Sequence, residues 1–441
     1  MRKDNKVSAI IATAIGLGAI IGAGIFVLSG TAIAIAGRNA LIAFVLVGIV
    51  ALIVGFELGE LGSLMPKLNG ASYSYTYKAF GSELGFITGI LLYFSYATSI
   101  SVVALGFGSY LASTIGVSTA TYSIAFAIGL ILVLALVNAL GIKKATSTDS
   151  ALVAIKLGIL VVFVLFALAI VFAMGHPLTN FLSAQPASSG TLGSIFAASV
   201  VIFFAYSGFQ SIANLTPKIK GGARSAAKAI LASIIISVVL YSLVVFALLL
   251  LLPASHFTIS ANPLASALSS VHAPTWIFLL VGAGALIATA SATLTDILSS
   301  SRTLYQMSTD KLLPSFTRKY DRKKDVAING VVISAVIGIV MLFSGNIYVI
   351  AAISNFGLLF SYLMTSFAVI HFRRKKVDAE FKTPFYPYLP ILSIIALLAF
   401  MIGLPKEALL IGVLLIISLI IIYYTLREYE DKKVIRVRLF R

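Results

Sequence analysis

Residues 16–26 read Gly16-Leu17-Gly18-Ala19-Ile20-Ile21-Gly22-Ala23-Gly24-Ile25-Phe26 and lie inside the first long apolar stretch of the chain. Each glycine inside a helix costs roughly 1 kcal/mol relative to alanine, so a continuous helix is unfavourable here. Small residues four apart, such as Gly18 and Gly22, also allow close helix packing in membranes. With Gly24 added, the pattern favours an unwound stretch around Gly22 to Gly24. Its free N–H groups and half-helix N-terminus are able to hold a carboxylate.

The composition of the whole chain is that of a membrane protein. Of 441 residues, 60% are hydrophobic and 11% are charged, whereas ordinary soluble domains carry about 25% charged residues. Continuous apolar runs, such as 151–174 and 229–252, have helical length, while barrel strands would alternate in polarity over about ten residues. The sequence therefore predicts an all-α membrane protein, because helices pair every backbone polar group internally.

Apolar runs of about twenty residues predict about twelve transmembrane helices, here called spans 1 to 12. They lie near 8–36, 40–63, 84–113, 121–141, 150–174, 191–214, 226–252, 275–304, 327–344, 347–372, 386–404 and 407–425. The first run is longer than a signal peptide and shows no clear cleavage pattern, so we expect it to remain in the protein.

The basic residues are distributed unevenly over the predicted loops. With a cytoplasmic N-terminus, only Arg38 and Lys406 of the 32 Lys and Arg residues lie outside and Lys156 lies in the membrane, which leaves 29 on the cytoplasmic side. This asymmetry follows the positive-inside rule. It predicts a multi-pass protein of the cell membrane with both termini cytoplasmic, and it accounts for the net charge of +17 without nucleic acid. The basic clusters at 318–324, 373–376 and 432–441 are expected to contact anionic membrane lipids.

A second interruption is predicted in span 6, where Gly208 stands among aromatic residues in the stretch 203–209. Spans 1 and 6 begin two halves of five helices and run in opposite directions, which is typical of inverted-repeat transporters with a site at the midplane. We divide the chain into a first repeat at 1–174 (spans 1–5) and a second repeat at 191–372 (spans 6–10). Spans 11 and 12 occupy 386–425, and a basic cytoplasmic tail occupies 426–441.

Several motifs follow one another along the predicted spans: Gly22-Ala23-Gly24-Ile25-Phe26; Gly59-Glu60-Leu61 with Met65-Pro66-Lys67 and Gly70; Asn138, Gly141, Lys143 and Lys156; Tyr206-Ser207-Gly208-Phe209; Ser301-Arg302 with Leu304-Tyr305, Met307, Asp310 and Leu313-Pro314; and Phe381-Lys382, Pro384 and Phe385-Tyr386-Pro387. Together they resemble the amino acid-polyamine-organocation superfamily of permeases, and the chain is similar to its proton-coupled amino acid transporters. The resemblance extends nearly end to end.

The resemblance implies that the unwound backbone of spans 1 and 6 binds the carboxylate and amino group of the substrate, while side chains of spans 3, 6, 8 and 10 shape the pocket. It places the substrate site at Ile21, Gly22, Ala23, Gly24, Ile25, Phe204, Tyr206, Ser207 and Gly208. One departure concerns the acidic residues that the family commonly carries after span 6. Here the chain has Gln210, Thr216 and Pro217, which puts in doubt any gating contact that depends on those carboxylates.

Lys156 in span 5 is the main candidate for proton coupling, because ionisable residues within a membrane are costly and functional by default. It matches a lysine of proton-coupled members of the family. When charged, it is expected to donate to Ser291 of span 8 and to carbonyls freed at 21–24, so that its protonation biases which face of the site is open. The alternatives are snorkelling to the interface and a permanently charged structural lysine.

Three further acidic residues lie within the predicted spans. Glu57 and Glu60 are three residues apart on one face of span 2 with no evident partner, and Glu57 is equally well explained as an interfacial residue. Glu60 belongs to a family motif, and we expect it and Asp296 of span 8 to have gating or structural roles. His371, Arg373 and Arg374 are expected to anchor the end of span 10 at the interface.

The candidate pocket side chains near the midplane are apolar, aromatic or hydroxylated: Tyr93, Tyr96, Phe204, Tyr206, Ser207 and Ser354. A cationic side chain requires a buried carboxylate in the pocket, and we place the three acidic residues too close to the cytoplasm to provide one. The sequence therefore predicts a neutral amino acid as substrate. An exchanger of cationic amino acids or polyamines is the alternative.

Other functional classes fit the sequence less well. It shows no ring of like residues that indicates a channel, no catalytic set and no nucleotide-binding loop. With no cysteine, and with four histidines that are not spaced as a ligand pair, no metal site and no cofactor are predicted. We therefore expect a secondary active transporter, not an enzyme, that binds an amino acid and protons and works by alternating access. The sequence does not indicate an oligomeric state.

Overall fold

The described part of the chain is almost entirely helical. A computed structural model describes residues 7–22, 24–66, 72–141, 145–173, 180–181, 191–213, 216–321, 324 and 326–439. Within these ranges, the secondary structure consists of helices and two isolated β-bridges. The all-α fold class that the composition predicts is confirmed.

The helices of the described residues account for the twelve predicted spans. Nine are long and apolar enough to cross a membrane, and the one at Gly24–Leu64 contains a short turn at Gly37–Asn39 that separates two spans. Two shorter apolar helices, spans 9 and 11, complete the set. The unbroken spans 2–5 and 7–12 are Ala40–Leu64, Ser82–Thr114, Thr119–Leu140, Ala145–Ala173, Gly222–Leu251, Thr275–Thr309, Ile328–Met341, Ile347–Arg374, Tyr388–Ile402 and Lys406–Leu439.

Spans 1 and 6 are interrupted where the glycines predict it. Span 1 consists of span 1a (Ala9–Ile20) and span 1b (Gly24–Ala36). Span 6 consists of span 6a (Thr191–Ile202), a 3-10 turn (Phe203–Tyr206) and span 6b (Gln210–Ala213). Gly208 adopts φ +108°, a conformation that L side chains rarely adopt, so the break in span 6 depends on this glycine.

Among the described residues, two short α-helices whose ends are both defined lie outside the predicted spans, at Ser72–Phe80 and Pro263–Ser270. The first follows span 2 and buries Tyr73 and Tyr75 completely, packing against spans 3 and 10. Both helices are too short and too polar on one face to stand out in a search for apolar runs of about twenty residues.

The core of the bundle lies around spans 3 and 10. In the most apolar 18-residue stretch of each span, 72% of the residues of span 3 and 83% of those of span 10 are buried. The corresponding shares are 22% in span 4 and 17% in span 12. Span 3 packs against spans 8 and 10, and span 1a packs against spans 5 and 7. The two breaks therefore lie in the interior of the protein, away from the lipid-facing helices.

A backbone clamp joins the start of span 1a to the segment after span 6b. The amide of Val7 donates to the carbonyl of Lys218 at 2.8 Å, and the amide of Lys220 donates to the carbonyl of Val7 at 2.8 Å. These two bonds form the parallel bridge between Val7 and Ile219.

The final helix continues to Leu439, so most of the predicted tail at 426–441 extends span 12, while residues 440–441 lie outside the described residues. The division into repeats at 1–174 and 191–372 stays a prediction.

Candidate functional site

A cavity lies between the two breaks and spans 3, 8 and 10. Its volume is about 50 Å³, which exceeds the roughly 10–15 Å³ that one water requires. The broken spans contribute Gly18, Ala19, Ile20, Gly22, Gly24, Phe204, Ser207, Gly208 and Ser211. Facing them are Ser95, Tyr96, Ser99, Val103, Ala292, Thr295, Asp296, Ser299, Ser354 and Leu358. Every span that the family resemblance assigns to the pocket contributes to its lining.

Part of the predicted substrate site lines this cavity: Gly22, Gly24, Phe204, Ser207 and Gly208. Ile21 and Ile25 are completely buried and are not among the described residues that line it. The hydroxyl of Tyr206 donates to the carbonyl of Phe44 in span 2 at 3.0 Å. This tyrosine therefore attaches the break of span 6 to span 2 and is not among the described residues that line the cavity. Ala23 lies outside the described residues.

The backbones of the two breaks are in direct contact. A Cβ atom on Gly24 would collide with the backbone of Ala205, and a Cβ atom on Gly208 would lie 2.6 Å from the carbonyl oxygen of Ala19. Only glycine permits such an approach. The glycines thus unwind the two helices and bring the unwound segments together.

Tyr241 of span 7 connects the two breaks and is not among the site residues predicted from the sequence. Its buried hydroxyl lies 2.8 Å from the carbonyl oxygen of Ile20 and 3.2 Å from that of Ala205. One hydroxyl proton is thus positioned between an oxygen of span 1 and an oxygen of span 6. The only signal in the sequence is a polar aromatic residue within an apolar span.

The breaks present groups that suit a zwitterion. The first four N–H groups of a helix have no acceptor within it, and the start of span 1b at Gly24 borders the cavity. Such an N-terminus attracts a carboxylate. The last carbonyls of span 1a, which ends at the cavity-lining Ile20, carry the opposite partial charge and suit an ammonium group.

Lys156 is buried beside the break of span 1. Its side chain is 2% exposed, and its Nζ donates to Ser291 Oγ at 2.5 Å. The same two spans approach the break closely: a Cβ atom on Gly18 would collide with Val153 of span 5, and one on Gly22 would lie 3.0 Å from Ala292 of span 8. The predicted contact between Lys156 and Ser291 is present. The burial of the lysine side chain argues against snorkelling to the interface.

Asp296 lines the cavity, so the prediction that it lies too close to the cytoplasm to reach the pocket is wrong. Its Oδ2 accepts a hydrogen bond from Ser99 Oγ of span 3 at 2.6 Å. Nearby, the amide of Gln210 donates to the hydroxyl of Tyr96. Gln210, one of the residues that replace the acidic family residues, thus connects span 6b to span 3 without a charge.

Glu60 and Glu57 bind partners away from the cavity. Glu60 accepts two bonds from Arg373, at 2.5 Å from Nε and 3.1 Å from Nη2, and a third from the amide of Thr383 at 2.7 Å. Arg373, which the sequence predicts as an anchor at the interface, thus forms an ion pair with Glu60. Glu57 is completely buried within the protein, and it accepts a hydrogen bond from Ser366 at 2.7 Å. These contacts connect span 2 to span 10 and to the segment before span 11.

Comparison with known proteins agrees with this geometry. The sequence profile of the amino acid permease family matches residues 8–426. The chain is 28% identical over 417 residues to the methylthioribose transporter of Bacillus subtilis (strain 168), covering 89% of this chain and 87% of the relative. It is also 28% identical over 405 residues to the branched-chain amino acid permease BcaP of the same organism, covering 87% and 84%.

The fold is similar to a solved transporter structure. A mutant of the manganese transporter of Eremococcus coleocola superposes with a TM-score of 0.58 at 15% sequence identity, covering 98% of this chain and 96% of that chain. At this identity the likeness concerns the fold alone. From the matched family, the helices and the two broken spans around a cavity, we conclude that the chain belongs to the amino acid permease family and is a multi-pass membrane transporter, not an enzyme.

Proposed function

We propose that this permease carries a neutral amino acid by alternating access and couples its movement to protons. The observation that carries the proposal is the meeting of two unwound helices at one cavity beside a buried lysine. The free N–H groups at the start of span 1b bind the carboxylate of the substrate. The carbonyls that end span 1a receive its ammonium group.

The lining of the cavity supports a small uncharged side chain. Apart from Asp296, its side chains are apolar, aromatic or hydroxylated, and its volume is about 50 Å³. Hydroxyl groups from Ser95, Ser99 and Ser354 face the breaks from spans 3 and 10. Because these groups are neutral, they solvate a polar substrate without selecting a charged side chain.

Proton coupling rests on the position of Lys156. A charged lysine that donates to Ser291 holds span 5 against span 8 at the point where both spans contact span 1. A neutral lysine has one fewer proton to donate, so this attachment weakens. Protonation of Lys156 is therefore expected to stabilise a conformation that contains this contact relative to one that lacks it, and coupling requires such a difference.

The test of coupling uses purified protein reconstituted into liposomes. Lys156→Ala is expected to retain substrate exchange but to lose accumulation driven by an imposed inward proton gradient. Lys406→Ala, which removes an exposed lysine at the start of span 12, is the matched control and is expected to behave as wild type. Undiminished proton-driven accumulation by the Lys156 variant, or a strict sodium requirement in the wild type, would contradict the proposal.

A second candidate function is favoured by Asp296 specifically. A carboxylate inside the cavity is the group that binds a cationic side chain, so exchange of cationic amino acids or polyamines is the alternative. Counterflow with alanine, leucine, arginine and putrescine distinguishes the two. If arginine or putrescine displaces label where neutral amino acids fail, and Asp296→Asn abolishes that displacement, the cationic alternative is correct.

The proposed orientation places both termini in the cytoplasm. It rests on the distribution of Lys and Arg, with Arg38 and Lys406 as the basic residues outside. In this orientation, the clamp at Val7 and the ion pair of Glu60 with Arg373 lie toward the cytoplasm, and the turn between spans 1 and 2 faces outward.

A further inference from the structure

A second cavity opens on the surface where the helix Ser72–Phe80 and the start of span 3 meet the end of span 10. Its volume is about 460 Å³, within the range of about 300–1,000 Å³ that is common for pockets of small organic ligands. The lining residues are Phe80, Leu84, Met364, Phe367, Ile370, His371, Arg374 and Lys375. We call it the span 10 groove. It is separate from the cavity between the breaks.

The groove changes in character along span 10. Met364, Phe367 and Ile370 provide an apolar wall, and Phe367 is exposed. Arg374 and Lys375 follow at the end of the helix. At 1.5 Å per residue, the seven positions from Phe367 to Arg374 correspond to about 10 Å along the helix axis. This order of groups complements a phospholipid: the apolar wall fits an acyl chain, and the two cations at its end fit a negatively charged headgroup.

The two cations have no acidic partner among the side chains that the structure describes, which end at residue 425. Arg373, the neighbour of Arg374, is engaged by Glu60, and Lys382 is engaged by Asp378. No such ion pair involves Arg374 or Lys375, and both side chains are exposed. The acidic residue next to the groove in sequence, Glu83, accepts a hydrogen bond from Tyr424 at 3.0 Å. The charge at this end of the groove therefore complements an anion.

We propose that the span 10 groove is a binding site for an anionic phospholipid. The phosphate of the headgroup binds Arg374 and Lys375, and an acyl chain lies against Phe367 and Ile370. Basic pockets between membrane helices are suited to such headgroups, and charge-assisted bonds from arginine to phosphate are strong. A zwitterionic lipid fills the apolar wall equally well but carries no net charge for the two cations.

The test uses fluorescence of a tryptophan placed in the groove. The chain has one tryptophan, Trp276, at the opposite end of the bundle at the start of span 8. Phe367→Trp in a Trp276→Phe background provides a single reporter on the apolar wall. The protein is reconstituted into vesicles that contain equal mole fractions of brominated phosphatidylglycerol or brominated phosphatidylcholine, because bromine quenches only a tryptophan that it contacts.

The expected result is a preference for phosphatidylglycerol of up to about 30-fold, the fold-change that corresponds to about 1 kcal/mol for each of two cations. Arg374→Gln with Lys375→Gln is expected to abolish the preference. Arg318→Gln with Lys319→Gln, an exposed pair in the loop between spans 8 and 9, is the matched control and is expected to retain it.

Three outcomes would overturn the proposal. Equal quenching by the two lipids in the reporter protein would show a nonselective lipid contact. A preference that survives loss of Arg374 and Lys375 would place the anion elsewhere. Competition by inorganic phosphate at equal charge would mean that the site takes a free anion. The reporter variant is first checked for monodispersity and for substrate counterflow, so an unfolded protein is recognised before the quenching is interpreted.

Discussion

Replacing Tyr241 with phenylalanine tests whether one hydroxyl organises both breaks. The variant keeps the ring and its packing but removes the donor that lies 2.8 Å from the carbonyl oxygen of Ile20 and 3.2 Å from that of Ala205. Leaving a buried acceptor without its donor costs about 1–3 kcal/mol. If the two segments separate as a result, this cost appears in substrate binding, because the zwitterion no longer meets both segments in one place.

The magnitude follows from that range. A loss of about 1–3 kcal/mol corresponds to binding that is about 5- to 150-fold weaker. The assay is isothermal titration of purified protein with the amino acid that counterflow identifies, together with thermal unfolding. The matched control is Tyr110→Phe. That fully buried hydroxyl donates to the carbonyl of Phe26 at 2.7 Å, which lies inside span 1b and keeps its acceptor role within the helix.

The control is expected to cost about 0.5–1.5 kcal/mol of stability and to leave the dissociation constant unchanged. The reasoning would be refuted if Tyr241→Phe bound the substrate as tightly as wild type. It would also be refuted if both variants weakened binding equally, because the effect would then come from general loosening of the bundle.

Three further predictions concern the break, the buried ion pair and the topology. Gly208→Ala adds a Cβ atom 2.6 Å from the carbonyl oxygen of Ala19 at φ +108° and is expected to abolish substrate binding. The control Gly116→Ala, at φ +76° with open space around it, is expected to bind substrate normally. Normal binding by both variants would contradict the role of the contact between Gly208 and Ala19. Arg373→Met leaves the 1% exposed Glu60 without its cation and is expected to cost about 3–5 kcal/mol, seen as a large drop in melting temperature. Lys382→Met removes the similarly short but exposed pair with Asp378 and should leave the melting temperature unchanged; equal drops would show that burial is irrelevant here. A cysteine introduced at Ser269, between spans 7 and 8, should react with an impermeant reagent from outside, and labelling only from the cytoplasm would reverse the topology.

The positions of the two helix breaks are predictable from the sequence, whereas the depth of individual side chains within the bundle is not. Gly22, Gly24 and Gly208 act through their own backbones, so their effect is readable locally. The predicted depth of Asp296 is wrong because span 8 extends over 35 residues at Thr275–Thr309, about 52 Å at 1.5 Å per residue, whereas the hydrocarbon core is about 30 Å thick. Counting residues from either end of so long a helix does not give the depth of its side chains.

Residues that act through distant partners were harder to find. Tyr241 reaches carbonyl groups 221 and 36 positions away, and Arg373 pairs with Glu60 over 313 positions. Neither relationship leaves a local pattern, because main-chain acceptors have no sequence identity and an arginine at a helix end already satisfies the positive-inside rule. The contact between Lys156 and Ser291 is predictable because the family resemblance indicates where the distant partner lies.

The clamp between Val7 and the segment after span 6b links the movement of spans 1a and 6b. Because two backbone hydrogen bonds join Val7, just before span 1a, to Lys218 and Lys220, after span 6b, we expect a rotation of span 1a to pull on the segment that follows span 6b by a route that does not involve the cavity. A chain shortened past Val7 keeps every residue that lines the cavity but loses this linkage. We expect such a chain to bind substrate as the full chain does but to couple its movement to protons less tightly.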